Sequence, residues 1–396
     1  MASTSAIVRR TLVHGASSDH NGADDVSDDD TNTLRLAFLG CEALPPYGPY
    51  LHTAELFADL IAAAYSEAQT TSSASDEDGE GDPPPERRQQ KQQRRRATRL
   101  VLEVFGVSQP TTTAEIAAHD NDNDNDNDDG SSLQTPSPTL PSLKRFPPER
   151  DLDRFDGVIL PGSFASAYDT TLPWVEGLAD WIQHTLVDRA IPTLGVCFGH
   201  QLYAHSFSRQ QQPAGGGTAV RCPSGPQAGR RTTTPTDLGR AFLGVARSEE
   251  NGGGLDLLYT HGDMVENLPL SIGVSLGGND AVPIQAALYV SSPGATTASE
   301  IEETIRRGGG GGKTTPPTDG PGVIAVTFQA HPEFAASNKG DGTYREILEM
   351  MHDRGDVSDE DHATALDDAD ANRNRVRQQS LDAMVAAGRL LGWFPY

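Results

Sequence analysis

The sequence predicts an α/β fold, a three-layer arrangement in which a largely parallel sheet is flanked by helices and interrupted by disordered insertions. Two observations predict it. Short, nearly continuous apolar runs alternate along the chain with longer segments of helical apolar spacing, the pattern of strands buried on both faces by crossover helices. Between these runs lie low-complexity stretches with too little apolar surface to offset the entropy of ordering them.

Taken in order, "LRLAFLG" (34–40) is a short apolar strand bounded by a polar tail and a turn. "YLHTAELFADLIAAAYSEA" (50–68) is a helix, with Leu56, Phe57, Leu60, Ile61 and Ala64 clustering on one side. "RLVLEVFGV" (99–107) and "FDGVILPGS" (155–163) are the next strands, the latter ending in Pro-Gly. A helix follows at 172–188, a fourth strand at "IPTLGVCFG" (191–199), and a helix at 197–207. "LDLLYTHGD" (255–263), "IQAALYV" (284–290) and "GVIAVTFQAHPEF" (322–334) add strands. Helices around 343–352 and at 373–388 follow, the second with Val376, Leu381, Met384 and Val385 as its apolar side.

The 396 residues would allow two domains, but the low-complexity segments reduce this to one. Residues 1–33 read as a disordered acidic tail and 34–352 as the domain, with insertions at about 69–98, 108–150, 208–237 and 303–321. Residues 353–396 read as an acidic linker and a C-terminal helix. The formal net charge of −25 is concentrated in runs at 24–30, 76–82, 120–129 and 353–370, so it belongs largely to tails and insertions. It argues against broad nucleic-acid affinity and otherwise predicts solubility. The basic cluster at 87–96 reads as a solvated linker balancing the acids beside it, in preference to a nuclear signal.

Three scattered cysteines, Cys41, Cys197 and Cys222, form no disulfide framework and no CxxC metal pair, which fits a reducing, cytoplasmic or nuclear, compartment. No apolar stretch approaches the roughly 20 residues that span a bilayer, so no membrane partner is expected. The Arg- and Ser-bearing start has features of an organelle transit peptide, but it is short and runs into an acidic stretch.

"GVCFG" (195–199) carries the first chemical signal. A cysteine at a sharp strand-to-helix turn is lifted from the sheet, with glycines allowing the bend and helix N-terminal amides favouring a thiolate or an oxyanion. By itself this is balanced by a buried structural cysteine at the same kind of turn. "FQAHPEF" supplies His331 and Glu333, which point the same way in an extended segment stiffened by Pro332. A carboxylate beside an imidazole fixes its tautomer and stabilises the imidazolium. Taken singly, His-Pro-Glu is a loop at a strand end; the combination carries the argument.

An elbow cysteine followed far downstream by His-x-Glu at a strand end resembles class I glutamine amidotransferases. The resemblance implies a flavodoxin-like fold and a Cys197, His331, Glu333 triad. "GVILPGS" is similar to the family's glycine turn, which implies an oxyanion hole from Gly162-Ser163 with the Phe198 amide as second donor. Gln201 matches the glutamine of the family's "CxGHQ" and implies a substrate contact. "THGDMVENLP" resembles the family's His-Gly-Asp segment, implying that His261, Gly262 and Asp263 line the substrate pocket. "GSFASAYDTTLPWVEGLADWI" looks like the stand-alone branch, which includes GMP-synthase-like proteins and γ-glutamyl peptidases.

The resemblance implies a hydrolase that cleaves the γ-amide of glutamine or of γ-glutamyl compounds through a thioester on Cys197, without a cofactor or metal. A self-contained γ-glutamyl peptidase is favoured because no synthetase domain is read in this chain; a glutaminase serving a separate synthetase and a silent interaction scaffold are the alternatives. A metal site from His261, Asp263, His331 and Glu333 is set aside because it ignores the elbow. Cys41, Trp174, Trp181 and His205 read as packing residues.

Overall fold

The computed structural model describes residues 6–11, 33–74, 97, 99–108, 144–209, 217–243, 253–269, 272–291 and 322–395. Within them lie strands β1 (Ala6–Thr11), β2 (Thr33–Gly40), β3 (Arg99–Gly106), β4 (Gly157–Leu160), β5 (Thr193–Val196) and β6 (Thr218–Arg221). β7 (Gln227–Pro235), β8 (Leu255–His261), β9 (Asp263–Asn267), β10 (Gly273–Gly278), β11 (Ala286–Val290) and β12 (Val323–Phe328) complete the strands. The helices are α1 (Tyr50–Ala74), α2 (Pro173–Trp181), α3 (Phe198–His205), α4 (Asp237–Leu243), α5 (Pro332–Ala336), α6 (Asn338–Asp353), α7 (Asp359–Ala371) and α8 (Arg373–Leu390).

Ten strands form one sheet in the order β1-β3-β2-β4-β5-β12-β11-β10-β7-β8, and β6 and β9 pair separately. The five central strands, β3-β2-β4-β5-β12, are parallel; the flanks are antiparallel. The side chains of β2 and β4 divide alternately between two cores. Leu36, Phe38 and Ile159 pack with α1 residues such as Phe57 and Ile61 and with Met384 of α8. Ala37, Leu39, Val158 and Leu160 pack on the other face, with Leu178 of α2 and Leu202 of α3. This is the three-layer α/β fold expected, with continuous apolar strands where the sheet is covered twice.

Several boundaries differ from those expected. The tail read at 1–33 contains β1, whose Val8 is buried and which pairs antiparallel with β3; residues 12–32 lie outside the described residues. The span 208–237, read as low-complexity, contains β6 and β7. The threonine run of β7 is β-branched and alternates in burial, which suits a strand although its composition is polar. Residues 69–74 continue α1, and 144–150 are described; the rest of the insertions at 69–98 and 108–150, apart from Ala97, lies outside the described residues, as does 303–321 and the basic cluster at 87–96. The helix read at 172–188 passes from α2 into a wider π-type turn at Ile182–Val187.

The acidic segment after 353 is also structured. Ser358 caps α7 by accepting from the Asp361 amide, and Asp359, Glu360 and Asp361 in the first turn complement the helix dipole. Ala365 and Ala369, four apart, are buried against the sheet side, where Gly229 leaves room for Ala365. Asp256, fully buried on β8, pairs with Arg230 at 3.0 Å and with Arg375 of α8 at 2.7 Å; Arg230 also holds Asp368 of α7 at 2.7 Å. Trp393, just beyond α8, donates to the Asp156 carbonyl at 3.0 Å. The C-terminal helices are therefore part of the core.

The chain leaves β2 toward β3 on one side and reaches β4 on the other, so β2 and β4 form a topological switch point. Loops at the carboxyl ends of such strands form the crevice in which ligands bind in open α/β sheets. Tyr47 follows β2, Gly162 follows β4, Cys197 follows β5 and His331 follows β12.

Candidate active site

Cys197 connects β5 to α3 with φ 50° and ψ −106°, the left-handed side of conformational space for a non-glycine residue. Such strain persists where the surroundings over-determine it. Here the Cys197 amide donates to the Phe328 carbonyl at 2.8 Å, and its own carbonyl accepts from Gln201 at 3.0 Å. The two neighbouring glycines serve close approach. A Cβ on Gly199 would stand 2.1 Å from the Leu160 carbonyl oxygen, and one on Gly195 would stand 2.8 Å from Cγ2 of Thr327. The elbow is thus wedged between β4 and β12, and Phe198 opens a helix whose first amides lack intrahelical acceptors.

His331 is fully buried, its backbone amide bound to the Leu258 carbonyl at 2.8 Å. Its Nδ1 lies 2.8 Å from Oε1 of Glu333, and its ring stacks on Phe334 at 4.4 Å and 10°. Gly162 lies beside both this ring and Cys197: a Cβ there would be 2.9 Å from Cε1 of His331 and 3.7 Å from Cβ of Cys197. Burial alone would lower the imidazole's pKa, but the charge and hydrogen bonds of Cys197 and Glu333 outweigh it and raise it to about 10. These neighbours therefore favour the protonated ring.

The structure brings Cys197, His331, Glu333 and Gly162 into one cluster. Ser163 lies at its edge, where its hydroxyl and the Phe164 amide each stand 3.4 Å from Oε2 of Glu42. The other expected residues form a second tier. Gln201 donates through Nε2 to the Asp263 carbonyl at 2.8 Å and to Oε1 of Gln329 at 3.2 Å. The Asp263 carboxylate accepts from Ser166 at 2.6 Å and from Tyr168 at 2.9 Å, so the "ASAYD" segment anchors it. The Gly262 carbonyl accepts from the Cys222 amide at 2.8 Å. His261 donates from Nδ1 to the Asp263 carbonyl at 2.8 Å; burial lowers its pKa to about 3, and its Nε2 has no hydrogen-bond partner among the described residues. The amide nitrogen of Gln329 is likewise buried without a partner.

Residues expected to be inert are so placed. Cys41 is buried, donates to the Leu39 carbonyl, and its thiol is pushed up by burial and by Glu42. Trp174 is buried, Trp181 stacks on Phe146 at 5.1 Å, and His205 accepts from the Ala219 amide through Nδ1. Tyr47 was missed. It sits in the Pro/Gly-rich turn "LPPYGPY" with its hydroxyl 3.4 Å from Nε2 of His331; an aromatic in a turn straight after the apolar run 34–40 was the available signal.

Parts of the chain are similar to known proteins. Residues 133–283 match the family described as glutamine amidotransferase class-I. The chain is 38% identical over 82 residues to γ-glutamyl peptidase 4 of Arabidopsis thaliana, which is 21% of this chain and 29% of that protein. It is 30% identical over 127 residues to γ-glutamyl peptidase 3 of the same plant, 32% of this chain and 47% of that one. The matched stretches span less than half the length of either relative. A glutamine amidotransferase from Thermotoga maritima aligns at TM-score 0.41 and 16% identity over 61% of this chain and 80% of that one. Cys197, Gly162 and Asp263 fall within the matched region; His331 and Glu333 are supplied from beyond it. Over residues 133–283, then, the chain is similar to the glutamine amidotransferase class-I family.

Proposed function

We propose that this chain hydrolyses the γ-amide bond of γ-glutamyl compounds through a thioester on Cys197. The observation that carries the reading is the buried His331–Glu333 pair beside the strained Cys197 elbow. In the proposed reaction the Cys197 sulfur attacks the γ-carbonyl carbon, and the Ser163 and Phe198 amides receive the oxyanion. His331 transfers its Nε2 proton to the departing amine as the C–N bond breaks. Neutral His331 then takes a proton from water, hydroxide displaces the sulfur from the thioester, and glutamate leaves. Glu333 holds the imidazole tautomer throughout. Loss of one oxyanion donor would lower turnover on the order of 10²–10³-fold.

Asp263, fixed by Ser166 and Tyr168, and His261 are proposed to face the α-amino and carboxylate groups of the γ-glutamyl moiety, with Gly262 in the backbone between them. Gln201 belongs to this reading as the residue that braces the Asp263 carbonyl. The working unit extends from residue 34 past 352, because α8 closes the core. The similarity to two γ-glutamyl peptidases supports amine release over ammonia transfer.

A hydrolysis screen tests the reading: glutamine, glutathione and γ-glutamyl amides, assayed for ammonia and for released amine. Amine release from γ-glutamyl peptides, lost in Cys197→Ala, is the expected result. Preferential ammonia release from glutamine would assign the chain to glutaminase chemistry serving a separate synthetase. No turnover, and no selective alkylation of Cys197 over Cys41 and Cys222, would make it a silent scaffold.

A further inference from the structure

Tyr47 is built into the same site. Its ring is buried, packed on Phe164 at 4.8 Å and inclined 29° to Phe334 at 6.2 Å. Its hydroxyl lies 3.4 Å from Nε2 of His331 and 3.4 Å from Oγ1 of Thr260 on β8. The loop that carries it is fixed from several directions. Oε1 of Glu42 accepts the Ala43 and Leu44 amides at 2.9 and 3.1 Å, and Oε2 faces the Ser163–Phe164 turn. The Gly48 amide donates to the Leu44 carbonyl at 2.6 Å, where a Cβ on Gly48 would meet the Ala43 carbonyl oxygen at 1.9 Å. Thr53 donates to the Tyr47 carbonyl.

We infer that Tyr47 is a positioning residue for His331, its hydroxyl accepting from the Nε2–H of the imidazolium while donating to Thr260. The inference rests on the reading of Cys197 and His331 proposed above. Because Nδ1 is held by Glu333, Nε2 is the nitrogen that exchanges its proton with the sulfur, the departing amine and water. Once the sulfur is acylated, Nε2 loses that partner, and Tyr47 keeps the ring aimed until water arrives. The groups facing the imidazole are Cys197 from the elbow, Glu333 from the first turn of α5, Tyr47 from the loop after β2 and His261 from β8. Glu42 also acts on Tyr47 through its charge. Burial, with Cys197 nearby, keeps the Tyr47 hydroxyl protonated well above its ordinary range, so it can donate and accept together.

The test is the pH profile of kcat/KM for a γ-glutamyl anilide, measured for the whole chain and for Tyr47→Phe, which keeps the ring. One ordinary hydrogen bond corresponds to roughly a 3- to 10-fold fall in kcat/KM and a shift of about half to one pH unit. The imidazolium loses an acceptor in the variant, so the basic limb of the profile should move to lower pH by that amount. A fall in activity with an unmoved basic limb would make Tyr47 merely structural and overturn the assignment. If Tyr47→Phe fails to unfold cooperatively, Thr260→Val reads the same relay: a smaller downward shift supports it and no shift overturns it. The underlying reading fails separately, if Cys197→Ala retains hydrolysis.

Discussion

His331 Nδ1 and Glu333 Oε1 stand 2.8 Å apart with both side chains buried, at 0 and 1% exposure, and the second carboxylate oxygen of Glu333 has no hydrogen-bond partner among the described residues. A carboxylate so enclosed is tolerated because the imidazolium beside it supplies the opposite charge. The pair is too dry to be a surface ion pair. Its partner on the far side of the ring is Cys197, which contributes to the rise of the imidazole's pKa to about 10.

Glu333→Gln should therefore lower kcat on the order of 10²–10⁴-fold, because an amide no longer enforces the Nδ1–H tautomer. KM should change little, since Glu333 lies behind the ring, away from the proposed substrate. Steady-state kinetics with a γ-glutamyl anilide will show this; a variant with unchanged kcat would remove Glu333 from the mechanism.

Cys197→Ala should abolish hydrolysis without lowering the thermal midpoint, because it removes one buried sulfur atom and leaves the backbone bonds to Phe328 and Gln201 in place. Iodoacetamide at neutral pH should label Cys197 ahead of Cys41, whose thiol is pushed well up, and Cys222, pushed up to about 12 by burial. Equal labelling of all three would contradict an activated Cys197.

The elbow glycines make a paired prediction. Gly199→Ala places a Cβ 2.1 Å from a main-chain oxygen of β4, so the elbow must move; a loss of roughly 1–3 kcal/mol or more is expected, as for overpacking, together with activity. Gly177→Ala, on the exposed face of α2 with nothing within 4 Å, should stabilise by about 0.5–1 kcal/mol. Urea unfolding of the two variants in parallel distinguishes close approach from a general intolerance of alanine.

His200, fully buried, accepts from Thr327 through Nδ1 and donates through Nε2 to the Ile284 carbonyl; burial lowers its pKa from 6.5 to about 4. Because the folded value is the lower one, the stability it contributes is full above pH 6.5 and is lost as pH falls through about 4, by about 3 kcal/mol. His331 has the opposite sign: its folded value is raised, so its contribution is full below about 6.5 and lost as pH rises through about 10. The destabilisation caused by His200→Gln should thus shrink between pH 6.5 and 4. A difference that stays constant across that range would show that His200 is not held neutral.

Much of this protein was legible in its sequence where local chemistry is one-dimensional. The strands that became β2, β3, β4, β5 and β12 are continuous apolar runs, and burial on both faces of a parallel sheet demands nothing else of them. Cys197 between two glycines, and His331 two residues before Glu333, are short-range patterns, and the fold brings them together through adjacent β5 and β12. The polar strand β7 and the C-terminal helix α7 were not legible, because composition marks them as solvated. Their order comes from partners distant in the chain: Asp256 with Arg230 and Arg375, and Ala365 against Gly229. Tyr47 was hidden for the same reason. A tyrosine in a turn is commonplace, and only the switch point between β2 and β4 sets its hydroxyl against the one nitrogen of His331 that Glu333 leaves free to exchange a proton.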